Sequence, residues 1–133
     1  MLDAPAPRRV VLAVDDPALL GLLDRALGAA GFEVLTAPGG WELHRRLAEL
    51  RRRGEPPSTI VSDIHMPGPS GISVAGLVRS WGWDTPIVLL TAFPSERKLT
   101  SATGAGATLV VAKPFAVRDL VLAVTRLSPG RAA

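Results

Sequence analysis

The sequence predicts a doubly wound α/β domain, a parallel sheet covered by helices on both faces. Five short apolar runs alternate with five stretches of helical periodicity. The runs are continuous rather than alternating, as expected of strands buried on both faces, and clusters of Gly, Pro and Ser break the chain between elements.

Val10 to Val14, β-branched and bounded by charges, predicts the first strand. Leu19, Leu20, Leu22, Leu23, Ala26 and Leu27 recur at helical spacing, and Gly31 is a plausible stop. Phe32 to Thr36 reads as a weaker second strand. Trp41, Leu43, Leu47 and Leu50 outline a second helix that ends near Arg51, Arg52, Arg53 and Gly54. After Pro56, Pro57 and Ser58, Thr59 to Ile64 resumes the strand pattern. Ile72, Ala75, Leu77 and Val78 predict a third helix with Ser70 as N-cap, stopping before Gly82. Ile87 to Leu90 and Ala107 to Ala112 are the fourth and fifth strands. The helix between them, Ser95 to Thr103, has Leu99 as its only large apolar residue and is expected to pack weakly. Val117, Leu120, Val121, Val124 and Leu127 form one apolar stripe, ended by Ser128, Pro129 and Gly130.

A chain of 133 residues fits one domain, expected over residues 9–127, with an N-terminal arm at 1–8 and a tail or linker start at 128–133. The absence of cysteine removes disulfides, thiolate metal sites and thiol nucleophiles, and fits a reducing, cytoplasmic setting. No run of about 18 apolar residues is present and the first nine residues lack the apolar stretch of a signal peptide, so no membrane partner is expected. The basic excess is small, 15 Lys and Arg against 12 Asp and Glu. The tryptophans Trp41, Trp81 and Trp83 are not interleaved with it, so they read as packing residues and nucleic acid is not an expected partner.

Right-handed crossovers bring every strand's carboxyl end to one edge, where open sheets hold ligands. There the polar residues that end strands collect: Asp15 and Asp16 after the first, Asp63 after the third, Thr91 after the fourth and Lys113 after the fifth. Three carboxylates on one rim raise each other's pKa unless a cation sits among them. Oxygen donors without clustered histidine or thiolate favour magnesium. With an ammonium and a hydroxyl beside them, the set suits phosphoryl binding with Asp63 as acceptor. Taken alone, Asp15 and Asp16 before Pro17 read equally as caps of the first helix.

Four motifs in order, "VDD" at 14–16, "DIHMPGPSG" at 63–71, "TA" at 91–92 and "KPF" at 113–115, give the chain a resemblance to the receiver domains of two-component response regulators, from Val10 to about Leu127. The resemblance implies a flavodoxin-like (βα)5 fold with strand order 2-1-3-4-5. It implies Asp63 as phosphoacceptor, and a magnesium ion held by Asp15, Asp16, Asp63 and the backbone carbonyl of His65, with Asp16 more than Asp15 as direct ligand. Lys113 resembles the residue that pairs with a phosphoryl oxygen and Thr91 the switch hydroxyl; small Ala92 leaves room for the phosphate, and the bond before Pro114 is expected to be cis. His65 and Phe93, each two residues beyond a site residue, are expected modulators, whereas His44 lies on a charged helix face and needs no role. The chain departs from the pattern at Val110, where the family commonly carries an aromatic ring that turns inward on activation.

The implied function is that of a phosphorylated signalling domain rather than a turnover enzyme. It would accept a phosphoryl group from a histidine kinase or histidine phosphotransfer protein, and meet an effector or a second copy through its fourth helix, fifth strand and fifth helix. Two alternatives stand beside it. A receiver-like interaction domain independent of phosphorylation is suggested by Val110 and opposed by the complete acidic, hydroxyl and lysine set. An aspartyl-phosphate phosphatase of the haloacid dehalogenase type needs a second acid two residues after the nucleophile, where His65 stands.

Overall fold

The computed structural model describes residues 8–129, so residues 1–7 of the arm expected at 1–8, and 130–133 of the tail expected at 128–133, lie outside the described residues. Five strands, β1 (Arg9–Ala13), β2 (Glu33–Ala37), β3 (Thr59–Asp63), β4 (Ile87–Thr91) and β5 (Leu109–Ala112), alternate with five helices. The helices are α1 (Pro17–Ala29), α2 (Gly40–Arg53), α3 (Gly71–Ser80), α4 (Glu96–Gly104) and α5 (Val117–Leu127). All pairings are parallel and the strand order is β2-β1-β3-β4-β5, the expected doubly wound topology.

The continuous apolar runs of β1, β3 and β4 are buried because helices cover both faces. Val10, Leu12, Val61, Val88 and Leu90 face α1 and α5 through Leu23, Leu27, Leu120 and Val124. Val11, Ile60, Ile87 and Leu89 face α2 and α3 through Leu43, Leu47, Leu50, Val74 and Val78. Alternate residues of one strand thus enter two separate cores, which fixes its register because a one-residue slip would exchange them.

Helix ends follow their local chemistry. Asp16, Ser70 and Ser95 cap α1, α3 and α4 through side-chain oxygens, and Gly54 ends α2 in the left-handed conformation. Several boundaries differ from expectation by a residue or two. Val14 lies past the end of β1, although its N–H still reaches Ala37 O at 3.1 Å. Phe32 closes the α1 turn, its N–H bound to Leu27 O, before β2 begins. Ala107 and Thr108 belong to the turn before β5, where Thr108 exchanges bonds with Ile87 and starts the β4 pairing.

One expectation about packing holds and one is corrected. The weak packing expected of α4 is what the structure shows: Leu99 is 52% exposed, and the one buried residue of that helix is Ala102, in the core cluster beside α3. Trp41 is not a packing residue of the core but is 63% exposed, whereas Trp81 and Trp83 pack edge to face at 5.2 Å. With a single alanine buried, α4 has little holding it to the sheet. Its amides are expected to exchange about tenfold faster than those of α1, which buries Leu23 and Leu27. Hydrogen exchange by mass spectrometry checks this, and equal protection of the two helices would contradict it.

Candidate functional site

Asp63 is the last residue of β3, the central strand, and the sheet buries it to 2% exposure. Burial raises its carboxyl pKa above the ordinary value, and the Lys113 ammonium opposes that rise only in part. Lys113 follows β5, its N–H bound to Thr91 O at 2.8 Å, and its Nζ lies 2.6 Å from Asp63 Oδ1. That ammonium is the one charged partner of the buried Oδ1 among the described residues. Oδ2 accepts from the Asp15 N–H at 3.2 Å, which ties the β1 end to the β3 end.

Thr91 ends β4 and is buried; its Oγ1 accepts from the Phe93 N–H at 3.2 Å, which leaves its own proton free to donate elsewhere. The bond from Lys113 to Pro114 is cis. These groups line an open cavity of about 450 Å³ together with His65, Leu90, Ala92 and Phe93. His65 and Phe93 are exposed at its mouth, and Lys98 lies over the Phe93 ring at 5.5 Å. Asp15 lines this cavity, whereas Asp16 stands beside it as the N-cap of α1, with Oδ1 accepting from Ala18 N at 3.0 Å. The capping reading and the acidic-pair reading thus meet on adjacent residues.

Val110 lies outside that cavity and lines a neighbouring one of about 310 Å³ with Thr91, Leu99 and Ala112. A larger groove of about 480 Å³ is lined by β2 and α2 residues, among them Glu33, Leu35, Arg46 and Leu50. Among the described residues Arg9 pairs there with Glu33 and Arg53 with Glu49, and Arg46 donates to the Thr36 carbonyl.

The donors suit a hard divalent cation. A buried carboxylate whose desolvation Lys113 offsets only in part, beside a second carboxylate, calls for positive charge beyond one lysine. Among the described residues no three His, Cys, Asp or Glu side chains cluster as a metal cage.

Fold and site define a flavodoxin-like α/β domain with an acidic pocket at the carboxyl edge of its sheet. The chain belongs to the response regulator receiver domain family, whose sequence model matches residues 10–125. It is 38% identical over 125 residues to the transcriptional regulatory protein PrrA of Mycobacterium leprae, covering 94% of this chain and 52% of PrrA. It is 34% identical over 122 residues to the transcriptional regulatory protein PdtaR of Mycobacterium tuberculosis, covering 92% of this chain and 57% of that one. The chain therefore spans about half the length of the curated relatives it matches. Among solved structures it superposes on the chemotaxis protein CheY4 of Vibrio cholerae with a TM-score of 0.79 and 31% identity, covering 92% and 99% of the two chains. It is thus a receiver domain of two-component signalling, and no helix among the described residues is long and apolar enough to cross a membrane.

Proposed function

We propose that residues 9–127 form a receiver that takes a phosphoryl group onto Asp63 from a phosphohistidine. The carboxylate oxygen forms a bond to phosphorus as the phosphorus–nitrogen bond breaks, leaving an acyl phosphate and a neutral imidazole after protonation. The observation that carries this reading is the meeting of Asp63, Asp15, Thr91 and Lys113, from four different strand ends, in one cavity.

Asp15, Asp16, Asp63 and the His65 carbonyl would hold magnesium, which supplies charge to draw the anionic donor toward an anionic acceptor. Lys113 would then transfer its ion pair from Asp63 to a phosphoryl oxygen, and Thr91 would donate its free hydroxyl proton to another. Ala92 keeps the mouth open, and the exposed His65 and Phe93 control water access and so the lifetime of the acyl phosphate. In this role the domain is a self-dephosphorylating signalling module in the cytoplasm, not a turnover enzyme. Its expected partners are a histidine kinase or histidine phosphotransfer protein. The exposed Leu99, Leu109 and Leu122 on α4, β5 and α5 support that face as the contact for an effector or a second copy. Val110 has no ring to turn inward, so coupling between Thr91 and this face runs through the α4 segment instead.

Incubation with a small phosphodonor and magnesium, followed by intact mass, tests the reading. A gain of one phosphoryl group that disappears with a chelator is expected; labelling that survives chelation, or no labelling at all, overturns it.

A further inference from the structure

The loop between β3 and α3 carries the His65 carbonyl, and the structure shows what holds that loop. At one end it closes on itself: Gly71 N donates to Ile64 O at 3.0 Å. At the other it is docked on the amino end of α2. Gly39 caps that helix without any side-chain bond, so the first N–H groups of α2 need acceptors from elsewhere. Gly40 N donates to Pro67 O at 2.8 Å, which sets a loop carbonyl against the positive end of the helix. The approach is so close that a Cβ on Gly40 would lie 2.0 Å from Pro69 O.

The Trp41 ring closes the same junction. Gly68 stands at φ +85° directly beneath it, where a Cβ would lie 2.8 Å from Trp41 Cδ1. His44, one turn along α2, meets the ring edge to face at 6.4 Å. Pro67 and Pro69 stiffen the loop on either side of Gly68. Between the two anchors, Ile64 and Pro67, lie only His65 and Met66, and Met66 itself packs against the core, with Ser62 Oγ 4.0 Å from its sulfur.

We infer that Trp41 and Gly40 are positioning residues for the phosphoacceptor loop: the amino end of α2 sets the main chain at His65 and thereby the affinity of the site for magnesium. The inference rests on the magnesium role proposed above. It also gives Trp41 a reason to stand exposed on the surface, since its contact is with a loop and not with the core.

The test is magnesium binding to the unphosphorylated chain, by calorimetry, in the parent, Trp41→Ala and Trp41→Phe, with urea unfolding of each. Supporting groups behind a metal ligand are worth about 10-fold to 100-fold in affinity, and the lower figure is expected for Trp41→Ala. Trp41→Phe retains a ring over Gly68 and is expected to bind within about twofold of the parent. Because the ring is largely exposed, both variants should stay folded. Affinity unchanged in Trp41→Ala, or lost equally in Trp41→Phe, overturns the inference alone. A parent that binds no magnesium overturns the proposed function as well.

Discussion

Replacing Asp63 by asparagine will abolish phosphoryl labelling and, with magnesium chelated, raise the urea midpoint of the domain at about pH 7. The first effect follows from removing the carboxylate oxygen that is buried against the Lys113 ammonium in the site. The second follows from burial. A carboxylate at 2% exposure loses its hydration, and Lys113 restores only part of the loss, so the folded state holds the Asp63 proton to a higher pH than the ordinary 3.8. The folded state then binds more protons than the unfolded one over that interval, and stability falls as pH rises through it. Well below 3.8 the acid is protonated in both states and resembles asparagine, so parent and variant should unfold together. Above the folded pKa the parent bears the full penalty and the variant none. A urea midpoint for Asp63→Asn at or below that of the parent at neutral pH would show that Lys113 offsets burial completely, and would sink this account of the site. Magnesium should reverse the order, since a cation that binds only the charged folded form stabilises the parent alone.

The same burial explains why some of the molecule was legible in its residues and some was not. Strands such as Ile87–Thr91 declare themselves because both faces are covered and no polar residue interrupts them, and the polar residue that follows marks the carboxyl edge. Asp63, Thr91 and Lys113 were readable as a set for that reason. Asp16 carried two readings because a helix cap and a metal-binding acid use the same residue at the same turn, and its Oδ1 is in fact engaged as a cap. The edge strand β5 is half-exposed, so its start is set by the pairing of Thr108 with Ile87 rather than by an apolar pattern. The weak hold on α4 was legible because Leu99 is its only large apolar residue, whereas the burial of Ala102 was not, since it depends on which face meets α3. Trp41 was opaque for a related reason. Its partner, Gly68, lies in another loop, and no local periodicity reports a contact between two turns. The glycines at 39 and 40 look like an ordinary turn signal, whereas Gly40 is required by the approach of Pro69.

Gly71→Ala offers a test in which two local rules oppose each other. By helix propensity alone, alanine at the first position of α3 should stabilise the domain, by up to about 1 kcal/mol. The structure forbids the gain. A Cβ at Gly71 would lie 2.3 Å from the Asp63 carbonyl oxygen, and 3.1 Å from both Leu89 Cδ2 and Ser62 Oγ, in a position buried under the sheet. The nearest of these is backbone and cannot rotate away, so α3 or the end of β3 must move. Overpacking of this kind costs about 2 to 3 kcal/mol, which exceeds the propensity gain. Because the displaced atom belongs to Asp63 itself, labelling by a phosphodonor should slow together with the loss of stability. Gly76→Ala is the internal comparison. It lies in the same helix, exposed, with nothing within 4 Å of an added Cβ, so there propensity acts unopposed and the midpoint should rise by an amount equivalent to about 1 kcal/mol. If both alanines stabilise the domain, the close approach of α3 to the Asp63 main chain is not a constraint on the fold, and the rigidity ascribed to the phosphoacceptor loop loses its physical basis.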